Sequence, residues 1–244
     1  MHRQSHFSYT CNQCGRCCHN QVITLSPVDV IAIARAMGLS TRDTVARFTM
    51  RRGSLLRFDA DGRCVALEGV RCTIHHGRPI ACRLYPLGLD RDGADRFIRL
   101  EPAAGSTGVY GDAGTIGEFL SAQGVDDQLD LNERYRPLLA MMRNRVASLT
   151  DFETVEPREF WRRAIAEALR ETNFDPNPMI DTLFDADGAG CRRESVAATV
   201  DAHLSALSAM VRFASDAVKI AAATVLLAVS LGFSPREAVA IEFA

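Results

Sequence analysis

No part of this chain has the unbroken apolar length that a membrane-spanning helix needs. The uncharged run Ile220 to Phe233 is shorter than the roughly 20 residues required to cross a bilayer. Lys219 and Asp216 adjoin it, so it reads as a buried helix. Met1 to Thr10 is polar and holds no apolar core of the kind a secretory leader carries. The expectation is a cytoplasmic protein in a reducing compartment, where a disulfide framework is disfavoured and thiols stay available for metals. There is no nucleophile elbow of the hydrolase type and no His-Glu-x-x-His pair, so ordinary hydrolases have no support. Neither a Walker loop nor a dinucleotide fingerprint appears, and no Cys-x3-Cys-x2-Cys radical-type motif is present. No basic run with interleaved aromatics marks a nucleic-acid surface.

What is present is ordinary in bulk and unusual in distribution. The chain has 244 residues, 47% hydrophobic and 24% charged, enough for one large domain or two small ones with a sizeable core. Its net charge of −2 hides an asymmetry: residues 1–100 hold 15 Lys and Arg against 8 Asp and Glu, and residues 101–244 hold 13 against 22. The first part is therefore basic (+7) and the second acidic (−9). A basic face could meet nucleic acid or an anionic substrate. The arginines are scattered, which favours a second account, that they offset the charge of metal-bound thiolates.

Seven of the eight cysteines fall in the first third: Cys11, Cys14, Cys17, Cys18, Cys64, Cys72 and Cys82. Thiols at two-residue gaps converge readily on a soft or borderline metal, with intervening backbone N–H groups free to bond to sulfur. The Cys11-x2-Cys14-x2-Cys17 run has the spacing of three ligands in a bacterial ferredoxin cluster. Adjacent side chains such as Cys17 and Cys18 tend to diverge, so one of them is expected to serve elsewhere or only to pack. Two accounts follow. In one, a single four-thiolate centre has three accessory cysteines; in the other there are two centres, the second completed by His19, His75 or His76. Each histidine taken alone reads first as a solvent-facing or hydrogen-bonding side chain. Arg78 and Arg83 flank Cys82 and are suited to stabilising thiolates, orienting an anion or fixing the turn through ordinary salt bridges. Tyr85 either donates to sulfur or packs on Pro86. The eighth thiol, Cys191, reads as a lone cysteine at a helix start.

Local signals outline the elements. Gln21–Leu25 is an extended lead-in, Ser26-Pro27-Val28-Asp29 caps a helix that Gly38 stops, and Ser40 with Asp43 starts another running to about Thr49. Residues 54–67 read as a hairpin turning at Asp61-Gly62, with Leu55, Leu56 and Phe58 facing Cys64, Val65 and Leu67. Arg78–Pro86 reads as a short proline-bounded helix. Gly105, Gly108, Gly111, Gly114 and Gly117 predict a glycine-rich loop wrapping past the cysteines. Helices are predicted at 115–123, 132–148, 157–172, 178–184, 193–213 and 214–232, with breaks at 174–178 and 185–190 and a last turn after Ser234-Pro235. The two longest are expected to pair as a hairpin or form one bent helix. The fold class is mostly α: a small, irregular α+β cysteine-rich metal domain at 1–122, followed by a helical extension at 123–244.

Taken together, Cys11-x2-Cys14-Gly-x-Cys17-Cys18, then Leu25-Ser26-Pro27-x-Asp29, then Cys64, Cys72, Ile74 and the run Arg78-Pro79-x2-Cys82-Arg83-x-Tyr85-Pro86 form a recognisable pattern. It resembles the YkgJ-type cysteine-cluster family, the CxxCxxCC zinc- or iron-chelating domain, over about residues 7–122. The resemblance implies metal binding by Cys11, Cys14, Cys17, Cys18, Cys64, Cys72 and Cys82. Some members look like flagellin lysine-N-methylases thought to hold an iron–sulfur centre and to use S-adenosylmethionine. Such proteins often carry a further cysteine where this chain reads Glu101-Pro-Ala-Ala-Gly-Ser106, and Cys191 is too distant to replace it. The expectation is an iron–sulfur cluster, of 4Fe–4S type, with a redox or protein-modifying role. The alternatives are a structural zinc module carrying a helical protein-interaction domain, and a methylase by analogy with the family. Another protein, meeting the acidic helical half, is the expected kind of partner. No catalytic residue can be named.

Overall fold

The computed structural model describes residues 1–89, 96–170, 178–189 and 195–233. In order these run through β1 (His6–Thr10), α1 (Pro27–Met37), α2 (Thr41–Phe48), β2 (Thr49–Met50), β3 (Leu55–Leu56), β4 (Leu67–Glu68), β5 (Arg71–Cys72), α3 (Ile80–Leu84), β6 (Leu87–Leu89), β7 (Phe97–Arg99) and β8 (Val109–Thr115). Helices follow: α4 (Ile116–Ala122), α5 (Val125–Glu133), α6 (Arg136–Leu149), α7 (Pro157–Leu169), α8 (Pro178–Thr182), α9 (Val196–Phe213) and α10 (Ala217–Ser230). The chain is thus mostly α, with an irregular α+β first part whose strands pair only as antiparallel two-stranded sheets: β1 with β8, β2 with β3, β4 with β5 and β6 with β7. The predicted last turn after Ser234, Cys191 and all but Pro178 of the break at 174–178 lie outside the described residues, whereas the break at 185–190 is described up to 189 and holds the 3₁₀ turn Ala186–Ala189.

Helix starts follow the chemistry read from the sequence. Ser26 accepts from the Asp29 N–H while Asp29 takes the Ser26 N–H, and Gly38 ends the helix with φ 63°. Ser40 caps α2, and Thr115 with Glu118 forms a second reciprocal cap at α4. Other expectations are corrected. The 54–67 hairpin keeps its turn, where the Asp59 N–H donates to the Arg63 carbonyl, but only Phe58 and Cys64 bridge across it. Leu55 and Leu56 pair instead with Thr49 and Met50, and Leu67 pairs with Cys72. Nearest-neighbour alternation cannot tell which of several short apolar segments will meet. The predicted glycine loop is largely β8, because β1 claims it: Tyr9 lies opposite Tyr110 and Thr10 opposite Val109. Glycine suits this strand because its partner crowds it. A methyl at Gly111 would crowd the hydroxyl of Ser8, which lies opposite it on β1.

Two cores hold the chain. The larger joins Leu25, Val30, Ile31 and Ile33 from the first part to Tyr135, Met142, Trp161, Leu207 and Leu227 from the helices. Helix α10 supplies its centre, with every residue from Ile220 to Ala228 buried, so the uncharged run is an interior helix as expected. It packs chiefly on α6 and α7, whereas α9 packs on α6, α1 and the 3₁₀ turn at Ala186–Ala189. The expected α9–α10 hairpin is therefore not the main packing, since a helix apolar all round needs covering on more than one side. A helix was also missed at Val125–Glu133, and the predicted helix at 132–148 starts at Arg136. Inside this core His203 is fully buried between a carbonyl and a phenol. Its Nε2 lies 2.7 Å from the Thr182 carbonyl and its Nδ1 2.9 Å from the Tyr135 hydroxyl. Burial pushes its pKa down, so it stays neutral and satisfies both neighbours. The smaller core, Phe7, Leu84, Leu87, Phe97, Ile116, Leu120 and Val125, lies under the cysteine-bearing loops. No helix among the described residues is long and apolar enough to cross a membrane.

Candidate metal centre

Cys11 and Cys14 leave the end of β1, and Cys17 and Cys18 sit on a single 3₁₀ turn closed by the Cys18 N–H donating to the Gly15 carbonyl at 3.0 Å. Cys64 is tied to that turn, its N–H reaching the Cys18 carbonyl at 2.9 Å. Cys72 is held by β5, and Cys82 by α3. The turn at His75–Gly77 that joins the last two lies flat against α1, where a methyl on Gly77 would collide with the Ala32 carbonyl. Loops from widely separated positions thereby enclose one cavity of about 500 Å³ lined by all seven of these cysteines, every one a free thiol. Among the described residues no Asp or Glu lines it, while Arg71, Arg78 and Arg83 do.

The thiols divide by environment. Cys17 and Cys18 hydrogen-bond to one another, against the expectation that neighbouring side chains diverge, because the tight turn folds both into the cavity. The bond from Cys18 lowers Cys17 to about 7, and the shared proton raises Cys18. Burial raises Cys64, Cys72 and Cys82. Each of these three feels the charge of Cys17, and Cys82 also that of Cys64 and Cys72, so together they form an inner group. Cys14 stands apart: hydrogen bonds from the Thr107 and Arg16 backbone, with Thr107 and Ser106 side chains, lower its pKa. Cys11 is exposed. Among the described residues no three His, Cys, Asp or Glu side chains stand in metal-ligating geometry. The donor set nevertheless suits a thiophilic or borderline metal, being seven thiols with the His75 and His76 imidazoles also on the lining and no carboxylate among the described residues.

Two arginines brace the inner wall through carbonyls rather than the ion pairs weighed from sequence. Arg83 donates to Arg78 O at 3.0 Å, Gln123 O at 2.7 Å and His76 O at 2.8 Å. Arg78 donates to His75 O at 2.9 Å and to the Gln123 side chain, and its charge favours the thiolates of Cys17 and Cys72. His75 lies against Arg78, and burial lowers its pKa. The His19 Nδ1 lies 3.1 Å from the Gly15 carbonyl, which gives it a bond within the turn. The Tyr85 hydroxyl accepts the Ala103 N–H at 2.9 Å, so it anchors the neighbouring loop.

Sequence reasoning missed Asp29 as part of the site. Only 1% exposed, its carboxylate takes the Ser26 N–H and hydroxyl at 2.8 and 2.9 Å, the Ile80 N–H at 2.9 Å and the Gln128 amide. Burial pushes its pKa up, and the Ser26 and Ile80 bonds and the Arg83 charge oppose that rise. Asp29 thus pins the start of α3, and with it Cys82, to α1 and α5. Its place in the Leu-Ser-Pro-x-Asp motif was the available signal. Ser106 and Thr107 carried none, since only the β1–β8 pairing brings that segment to Cys14. They occupy the neighbourhood in which the family pattern suggested another cysteine.

Sulfur donors gathered from separate loops into one cavity without a carboxylate among the described residues make a cysteine-cluster site whose chemistry suits a metal. The comparison with protein families agrees: residues 10–101, less than half of the chain, match the CxxCxxCC family, a domain to which the chelation of zinc or iron is ascribed. No curated protein and no solved structure matches the chain.

Proton binding gives a test that needs no metal. Cys64, Cys72 and Cys82 hold their protons more tightly in the folded chain than an ordinary thiol does. As pH climbs past about 8.5 the unfolded chain sheds protons that the folded chain keeps, so stability falls with rising pH. Cys17 and Cys14 act in the opposite sense, but with Cys18 also raised they are outnumbered. The melting temperature of reduced, metal-free protein is expected to drop between about pH 8 and pH 10. A flat or rising profile would count against buried, protonated thiols.

Proposed function

We propose that the chain holds an iron–sulfur cluster, of 4Fe–4S type, in this cavity and uses it in a redox or protein-modifying role. The observation that carries the reading is the surplus of sulfur: seven thiols line one cavity, where a structural zinc takes four. Cys17, Cys64, Cys72 and Cys82 are the inner ligands, Cys18 is exchangeable with Cys17, and Cys11 and Cys14 form an outer pair toward the mouth. Bound there, such a cluster would supply a store for single electrons.

The chain's own residues do the rest. Burial keeps Cys64, Cys72 and Cys82 protonated until metal displaces those protons, so loading is coupled to their release. Arg78 offsets thiolate charge, Arg83 and Asp29 hold the two ends of the Cys82 segment, and the apolar wall of Ile23, Leu56 and Phe58 limits water. Residues 1–122 act as the metal-holding unit and residues 123–244 as the helical body that steadies it.

Protein purified without oxygen should be brown, with iron and acid-labile sulfide in equal amounts and a visible band that bleaches on reduction. Colourless protein with stoichiometric zinc would overturn the redox reading and leave the structural one.

A further inference from the structure

The cavity has more room than a metal needs. Its volume of about 500 Å³ falls within the range of about 300–1,000 Å³ typical of small-molecule sites. At about 30 Å³ for each water-sized body, the eight atoms of a 4Fe–4S core would take roughly 240 Å³ of it, about half. Part of the wall is apolar, with Ile23, Leu56, Phe58 and Phe119 on the lining. The charged side chains beside it are Arg71, Arg78 and Arg83, without a carboxylate among the described residues.

Arg83 has its N–H groups directed at three carbonyls. Arg78 is only partly used. Its Nη1 meets the His75 carbonyl and ring, and its Nη2 meets the Gln123 side chain. That leaves the Nε–H, which shares one edge of the guanidinium with Nη2, and one of the two Nη2–H groups with no acceptor among the described residues. This edge is the fork that grips a carboxylate through two parallel bonds. Arg71 is exposed at the same cavity, and its side chain has no hydrogen bond or ion pair among the described residues. The charge balance points the same way. Four thiolates around a centre of charge +2, a divalent ion or an oxidised 4Fe–4S core alike, carry about −2, and the three arginines leave the loaded cavity at +1.

We propose that this cavity binds a small organic anion beside the metal, its carboxylate on the open edge of Arg78 and its apolar body against Phe58 and Leu56. The proposal rests on the metal-centre reading for the residual charge and on the Arg78 edge for the contact. It gives the site a ligand class: short-chain carboxylic acids.

Hexanoate serves as the probe, titrated by calorimetry into reduced full-length protein of measured metal content. Saturable one-to-one binding is expected, about tenfold weaker in Arg78→Gln at equal metal content, because a hydrogen bond to a charged partner is lost. If Arg78→Gln fails to fold, Arg71→Gln at the surface decides, with an expected weakening of a few-fold. Hexylammonium is expected not to bind. Absence of hexanoate binding, equal binding by both variants, or binding of hexylammonium would overturn the proposal. Metal-replete protein that ignores hexanoate defeats the anion site alone. Metal-free protein that still binds hexanoate through Arg78 supports the anion site independently of the metal reading, which metal content alone decides.

Discussion

Cys82→Ser is expected to abolish metal binding, while Cys11→Ser is expected to retain most of it. Cys82 lies on α3 at the back of the cavity, where burial raises its pKa and where Cys72, Cys64 and Cys17 are its electrostatic neighbours. Cys11 is exposed at the mouth. A serine hydroxyl at position 82 cannot act as a soft anionic donor, so an inner set reduced by one leaves the metal under-coordinated. Structural metal binding is worth about 10–16 kcal/mol of apparent free energy in small thiolate domains, so the loss of a principal ligand is read easily as metal per chain. The measurement is elemental analysis after anaerobic purification and desalting. Equal loss in both variants would show that the outer pair ligates as strongly as the inner group, and the division drawn from thiol environments would be wrong.

Asp29→Ala is expected to destabilise the chain by about 3–5 kcal/mol, because it strands the Ser26 N–H, the Ile80 N–H and the Gln128 amide in a buried position, at about 1–3 kcal/mol for each unmet group. Set against a typical domain stability of about 5–15 kcal/mol, that is a large fraction. Metal affinity is expected to fall by about 10- to 100-fold as well, the usual effect of removing a residue that orients a ligand without touching the metal. Urea unfolding of the metal-free protein isolates the first effect, and competition with a chromogenic chelator measures the second. Asp29→Asn, which keeps one carbonyl oxygen, should lie between the wild type and the alanine variant. A change within about 1 kcal/mol for Asp29→Ala would mean that the Ile80 and Gln128 contacts do not hold α3 in solution.

The elements that local chemistry dictates were readable in advance. Ser26, Pro27 and Gly38 bound α1 as their side chains and backbone freedom require, and the uncharged residues after Lys219 form the buried helix α10. The concentration of thiols in the first third was equally plain, since two-residue gaps have few uses other than ligation. Strand partners were not. Leu55 and Leu67 were expected on facing arms of one hairpin, and each joined a different partner. Segments of two residues carry too little pattern to select a neighbour. Gly111 and Gly114 looked like loop residues because glycine is a poor strand former, and β1 overrode that preference. Helix α5 escaped notice because Asp126, Asp127, Gln128 and Asp130 dilute its apolar face, although Val125 and Gln128 are buried.

From sequence alone came the metal-binding character of the chain, through the kind and spacing of its sulfur donors, and its helical body, through apolar periodicity and caps. These are local properties, set by bonds and side chains a few residues apart. Only the tertiary structure decided that Asp29 rather than a residue beside Cys82 pins its helix, that Ser106 and Thr107 reach Cys14, and that Arg78 keeps an open edge beside the thiols. Those outcomes depend on which loops converge. Convergence is governed by the packing of α1 against the helical core and of β1 against β8, contacts between residues far apart in the chain.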